Sequence, residues 1–243
     1  MYGGFYSMAL DIARSQLQIS HSVCEELNPI FKRVQQTFAV CQPNFLPDFS
    51  LYFVVDGHEN DRAAKMFSSY FESLLANNLK ITNSNVERAI NETVGQIEDR
   101  LRYLDGRNTV VSLCAVLFDS NRASYYVITI GNCNAARFDR LKAFQGEMLS
   151  TTQNSGANSF WDTETVDKNQ LIQPTISEFE AGTHDILIAT SGLWQFSSLK
   201  GNADSLTKDS GKSLTSKCRN LVDIALENGC QENIAAILLS FHR

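Results

Sequence analysis

The sequence predicts a mixed α/β fold in one domain over 1–243, with much of the strand pairing antiparallel. Three features carry this expectation: an apolar run that ends at a turn, two consecutive segments of helical periodicity, and a block of β-branched runs joined by a hairpin signature. No internal repeat is present, and the polar stretches lie between strands rather than between self-contained halves.

The run Leu-Tyr-Phe-Val-Val over 51–55 reads as a buried strand that stops at Asp56-Gly57-His58. Ala63, Phe67, Tyr70, Phe71 and Leu74 then recur at helical spacing, which predicts an amphipathic helix over 61–79. In a second helix Ser84 stands as N-cap and Glu87, three residues on, completes a capping box. Its apolar stripe is Val86, Ile90, Val94, Ile97, Leu101 and Leu104. The runs 110–118 and 124–130 are strands joined through Asp119-Ser120-Asn121-Arg122, and 135–140 is placed to pair next. The segment 150–169 is rich in Ser, Thr, Asn and Gln, has no period and reads as loop. A buried strand over 185–190 leads into Ser191-Gly192-Leu193-Trp194, and a polar stretch rich in Gly, Ser and Lys follows over 197–213. A helix over 215–228 turns Cys218, Leu221, Val222 and Ala225 inward, Gly229 ends it, and 234–241 is the last strand.

The composition narrows the function. With 243 residues, 43% of them hydrophobic, the chain is neither a disordered acidic tail nor a collagen-like repeat and can bury a sizeable core. Lys and Arg number 21 against 27 Asp and Glu, a formal net charge of −6 with no run of like charge, so nucleic acid is excluded as the expected partner. No apolar stretch reaches the roughly 18 residues of a membrane span, and no basic region precedes a long apolar one at the N-terminus, so neither a membrane segment nor a signal peptide is expected. The six cysteines form no C-x-x-C pair, which fits a reduced, cytoplasmic protein. Asn91-Glu92-Thr93 matches a glycosylation acceptor, but inside a helical pattern it reads as a chance match. Trp194 follows an apolar strand and reads as core. His21, His184 and His242 lack metal-ligand spacing, and Cys133, with no basic neighbour, reads as an inert thiol.

Four segments carry a resemblance: Val54-Val55-Asp56-Gly57-His58, Ile130-Gly131-Asn132-Cys133-Asn134-Ala135, Ile188-Ala189-Thr190-Ser191-Gly192-Leu193-Trp194 and Gly229-Cys230-Gln231-Glu232-Asn233-Ile234. In order and context they resemble the D-G-H-G-G, V-G-D-S-R-A, A-S-D-G-L-W-D and G-S-x-D-N-I/M motifs of the metal-dependent PPM (type-2C) Ser/Thr protein phosphatases. Arg107-Asn108-Thr109-Val110-Val111 is similar to the family's G-S-T-A-V strand start. The resemblance implies an α+β fold, a central β-sandwich flanked by helices on both sides. It also implies a dinuclear Mg²⁺/Mn²⁺ site that activates water for attack on a phosphoester.

Residue by residue, Asp56 matches the bridging ligand, Gly57 the carbonyl donor and His58 the general acid. The second Gly pair becomes Glu59-Asn60, and Lys32-Arg33-Val34-Gln35-Gln36-Thr37 stands where an early acidic ligand belongs. Ser191 replaces a metal-binding Asp, Gln195 a trailing Asp, and Glu232 the ligand Asp of the last motif, while Asn132 and Asn134 replace an Asp and an Arg. Two divalent ions about 4 Å apart repel by on the order of 16 kcal/mol at an effective dielectric near 20, which several carboxylates must offset. Asp56 and Glu232 alone do not suffice, and a hydroxyl or amide is a poor substitute for a carboxylate. About sixty residues separate Gly131 from Gly192, short for this family, so the segment that shapes substrate access is reduced.

The resemblance therefore implies a pseudophosphatase with no metal cofactor, His58 vestigial as a catalytic residue and Asp56, Gly57, Ser191 and Glu232 vestigial as metal positions. Among the family's inactive members it is similar to adaptors that bind and activate a TAK-type MAP kinase kinase kinase, which implies scaffolding by protein contact. The chain given ends at Arg243, just after the last strand, so binding is expected to use the domain surface. The alternative is a divergent phosphatase using Mg²⁺ or Mn²⁺ held by Asp56, Glu232 and a further acid such as Asp162 or Glu164. A phosphate or nucleotide sensor is a third reading, without a Gly-rich phosphate loop to support it.

Overall fold

A computed structural model describes residues 17–27, 36–57, 61–102, 111–150 and 173–242. In chain order the strands are β1 (Gln18–Glu26), β2 (Thr37–Leu46), β3 (Phe49–Gly57), β4 (Val111–Asp119), β5 (Ser124–Ile130), β6 (Asn134–Asp139), β7 (Gln145–Met148), β8 (Thr175–Glu180), β9 (His184–Ala189) and β10 (Ile234–His242). The helices are α1 (Asp61–Ile81), α2 (Val86–Arg102), α3 (Ser191–Phe196), α4 (Leu199–Lys208) and α5 (Leu214–Glu227), with a short 3-10 turn at Arg140–Lys142.

The strands form two five-stranded antiparallel sheets, ordered β1-β10-β9-β6-β7 and β2-β3-β4-β5-β8. Side chains alternate across a strand, and here every central strand is buried on both faces. On β3, Tyr52 and Val54 point between the sheets, into a layer with Cys114, Val116 and Tyr125 of their own sheet and Ile186, Ile188, Ala235, Ile237 and Phe241 of the facing one. Leu51, Phe53 and Val55 point the other way, into a layer with Phe67, Phe71, Ile90 and Ile97 of α1 and α2. The outer face of the first sheet does the same: Leu187, Ala189, Ala236 and Leu238 pack on Leu206, Cys218, Leu221 and Val222 of α4 and α5. The architecture is a β-sandwich with helices on both sides, the α+β arrangement that the resemblance implies.

Several local expectations change. The cap of α2 is Asn85, not Ser84: the Asn85 side-chain oxygen accepts from the Arg88 N–H at 3.1 Å, and Ser84 sits at φ 62° in the turn before it. Tyr70 leaves the buried stripe of α1; it is 41% exposed and takes the Arg100 guanidinium over its ring at 4.4 Å. The polar stretch over 197–213 holds α4, capped by Ser198 and anchored by Ala203 and Leu206. The strand expected at 135–140 leaves the sheet of β5 for the other one, where it pairs with β9 and β7. Thr93 of the glycosylation-like triplet is fully buried, donating to Ala89 O and accepting from Asn78, so that triplet serves the α1–α2 contact. No described helix is long and apolar enough to cross a membrane.

Candidate functional site

Strand register gathers the quoted motifs at one end of the sandwich. Gly57 pairs with Val111, Leu113 with Ile130, and Ala189 with both Asn134 and Ala236. The ends of β3, β5 and β9 therefore share an edge with the starts of β4, β6 and β10. Between β5 and β6 the chain crosses from one sheet to the other, and Gly131, at φ 79°, supplies the backbone conformation that this sharp passage requires.

Asp56 continues the inward-facing set of Tyr52 and Val54, so its carboxylate enters the end of the space between the sheets, where it is 8% exposed. There the Ser191 hydroxyl donates to Asp56 Oδ2 at 3.2 Å. Ser191 is the first residue of α3, held by Thr190, whose N–H donates to Ala235 O at 3.0 Å and whose hydroxyl accepts from the Ala235 N–H at 3.1 Å. Gly192 is the point of closest approach on the next strand: a Cβ there would stand 2.9 Å from Asn233 O and 3.2 Å from the Cβ of Glu232. Ser191 thus meets Asp56 directly, while half-buried Glu232 lies against the following residue. Gly57 ends β3 with its N–H donating to Gln36 O at 2.9 Å. His58, Glu59, Asn60, residues 32–35 of the early basic segment, Arg107-Asn108-Thr109-Val110, Asp162 and Glu164 lie outside the described residues.

The replaced residues of the second motif have found other partners. Asn134 donates to Asn132 O at 3.0 Å and accepts from the Ser150 hydroxyl at 2.8 Å, tying the crossing between sheets to the end of β7. The Trp194 indole N–H is shared between Asn134 O at 3.1 Å and Ala189 O at 3.0 Å, so this half-buried ring staples α3 to the strand ends, as a packing residue rather than a stacking platform. Cys133, part of the second motif and read from the sequence as an inert thiol, lies fully buried close to both Asp56 and Ser191. Burial above all, then the negative charge of Asp56, hold it well above the ordinary thiol range, against the Ser191 backbone hydrogen bond. At ordinary pH it is a protonated thiol and so a poor nucleophile. The alternation that buries Ala135 between the sheets was the available clue to its position.

Among the described residues the donor set is one buried carboxylate that accepts from a hydroxyl, Glu232 with its Cβ beside Gly192, two amides and a protonated thiol. Among the described residues no three His, Cys, Asp or Glu side chains converge as a metal ion would need. By charge and ligand chemistry this set does not fit a dinuclear Mg²⁺ or Mn²⁺ centre.

The fold has clear counterparts among solved structures. A Ser/Thr phosphatase 2C from Toxoplasma gondii superposes with a TM-score of 0.77 at 12% identity, covering 92% of this chain and 95% of that one. The catalytic domain of the Ser/Thr phosphatase PstP, solved with two manganese ions, gives 0.66 at 12% identity over 94% and 100%. A C. elegans sex-determining protein gives 0.75 at 10% identity, over 93% of this chain and 65% of that one. No protein-family model and no curated protein sequence matches the chain. The chain has the fold of the type-2C Ser/Thr phosphatases, as the motif resemblance implies.

Proposed function

We propose that this protein is a pseudophosphatase, a type-2C phosphatase fold that has lost turnover and serves as a cytoplasmic protein-binding adaptor. The carrying observation is the Ser191–Asp56 hydrogen bond. A neutral hydroxyl closes on the one carboxylate best placed to bridge two metals, at the position where the phosphatases that the motifs resemble place a second carboxylate. Protein contact is then the remaining use of the domain, and the resemblance to kinase-binding adaptors points to a TAK-type MAP kinase kinase kinase as partner. The fold also occurs in a C. elegans protein named for sex determination.

One observation favours a second reading. The Cβ of Glu232 lies beside Gly192, the residue after Ser191, and a divergent phosphatase would use Asp56, Glu232 and a further acid with a single Mg²⁺ or Mn²⁺. Assay of the purified protein on an aryl phosphate and a phosphothreonine peptide with excess Mn²⁺ separates the two. The expected result is no release of phosphate above the buffer control. Turnover that Asp56→Asn abolishes overturns the adaptor reading. Partner choice is checked by incubating the protein with a TAK-type kinase and measuring complex formation and kinase activity; neither changing removes the kinase assignment.

A further inference from the structure

At the end of the sandwich opposite Asp56, a cleft of about 600 Å³ opens between the β6–β7 hairpin and the β8–β9 turn. Arg137, Asp139, Lys142, Glu147, Glu180 and His184 supply its charged and titratable side chains. Two cations are already committed: Arg137 is paired with Glu147, and Lys142 with Asp139 at 3.4 Å. His184 is driven down to about 4, by burial first and then by Arg137 and Arg140, and is neutral at ordinary pH. The Glu180 side chain is exposed and has no hydrogen bond or ion pair among the described residues. The uncompensated charge of the cleft is therefore negative.

The same cleft borders an open sheet edge. β7 is the last strand of its sheet. The Leu149 N–H donates inward to Ala135 O at 2.9 Å, so the alternation of an antiparallel strand turns the N–H and C=O groups of Gly146 and Met148 outward. No described strand pairs with them. An exposed apolar side chain, Leu141 at 83%, lines the opening. Unpaired backbone at a sheet edge beside a pocket is the requirement for binding by strand addition.

We propose that this edge and cleft dock an extended segment of a protein partner, its backbone pairing with Gly146 and Met148 and a Lys or Arg side chain reaching Glu180. The proposal rests on the binding-module reading and adds to it the chemistry of the partner. It is tested on the full chain with a labelled octapeptide of alternating Lys with Thr or Val, against the same peptide carrying Glu for Lys. Fluorescence anisotropy is expected to give a Kd below about 1 mM for the Lys peptide and at least about tenfold weaker binding for the Glu peptide. Glu180→Lys, an exposed change that leaves folding intact, should weaken the Lys peptide by about tenfold. Amide hydrogen exchange at Gly146 and Met148 should be fast in the free protein and slow in the complex. Absence of Lys-peptide binding up to about 1 mM, indifference to Glu180→Lys, or amides already protected in the free protein each overturn the proposal. Phosphatase assays on the same samples keep the two readings apart. Turnover with peptide binding intact removes the pseudophosphatase reading alone, and no turnover with no peptide binding removes this one alone.

Discussion

Two buried aspartates, one toward each end of the sandwich, each accept a hydrogen bond from a serine. Asp56 takes the Ser191 hydroxyl at 3.2 Å and lies near the Cys133 thiol. Asp185, on β9 and fully buried, takes the Ser240 hydroxyl at 2.7 Å, has the Arg140 Nε at 3.4 Å, and feels the charge of Lys217. Asp185 has a donor across the strand pair and beside it a guanidinium that also binds Phe241 O, while its Oδ2 is buried without a hydrogen bond. Asp56 stands at a loop-rich end where its serine is the first residue of a short helix. The Asp185 carboxylate is met by cations from the 3-10 turn and from α5, Arg140 and Lys217, whereas Asp56 has a neutral hydroxyl and a buried thiol beside it.

The largest effect expected from this contrast is at Arg140. Arg140→Ala removes the guanidinium and strands the Asp185 carboxylate, and should cost about 2–4 kcal/mol in urea unfolding. A loss below about 1 kcal/mol would mean that the Asp185 set is no more structural than the Asp56 pair.

The second effect is pH dependence. The His184 pKa falls from its usual 6.5 to about 4 in the fold, mainly by burial, so the unfolded chain takes up a proton before the folded one does. The stabilisation is complete above about pH 6.5 and is lost as the pH falls toward about 4, by up to about 3 kcal/mol. Asp185 acts in the opposite sense. Burial raises its pKa, so protonation of the folded state as the pH falls relieves a buried charge. His184→Phe should flatten the acid side of the stability profile; an unchanged profile excludes His184 as its source.

The third is Ser191→Asp, which places a second carboxylate against Asp56. It should lower stability by about 1–3 kcal/mol without metal, with part of the loss recovered in excess Mn²⁺, while the natural protein's Tm stays unchanged by the ion. A Tm rise of the natural protein with Mn²⁺ would show that the hydroxyl is no barrier to the metal. The smallest effect is Asp56→Asn, expected to cost at most about 1 kcal/mol because one hydroxyl hydrogen bond is exchanged for another.

How far the sequence could be read depended on burial. The doubly buried strands β3, β4, β5, β9 and β10 stand out as apolar runs, and the helices α1, α2 and α5 show their stripes. The edge strands do not. β1 carries the consecutive polar run Ser20-His21-Ser22 among mostly exposed and half-buried positions, β2 carries Pro43 in an irregular register between Gln42 and Leu46, and β8 mixes Glu178 and Glu180 among partly buried positions. Their pairing comes from the neighbouring strand, which no local pattern records. α4 hides Gly201, Asn202 and Ser205 in its interior, and tertiary contacts override its weak propensity. At the site, the motifs marked Asp56, Ser191 and Glu232, and the register brings the first two into contact with the third one residue removed. The second motif carried Cys133 to the site end as an inert thiol, but its closeness to Asp56 and Ser191 depends on the crossing between sheets at Gly131, which no local pattern records.

The shared indole hydrogen bond gives the site end an optical reporter. Trp194 and Trp161 are the chain's two tryptophans, and the Trp194 N–H spans the carbonyls of β6 and β9 at the strand ends beside Asp56. Loosening of that end frees the N–H to water and shifts the ring's emission to longer wavelength, so a Trp161→Phe background reads local opening there separately from unfolding of the helical layers.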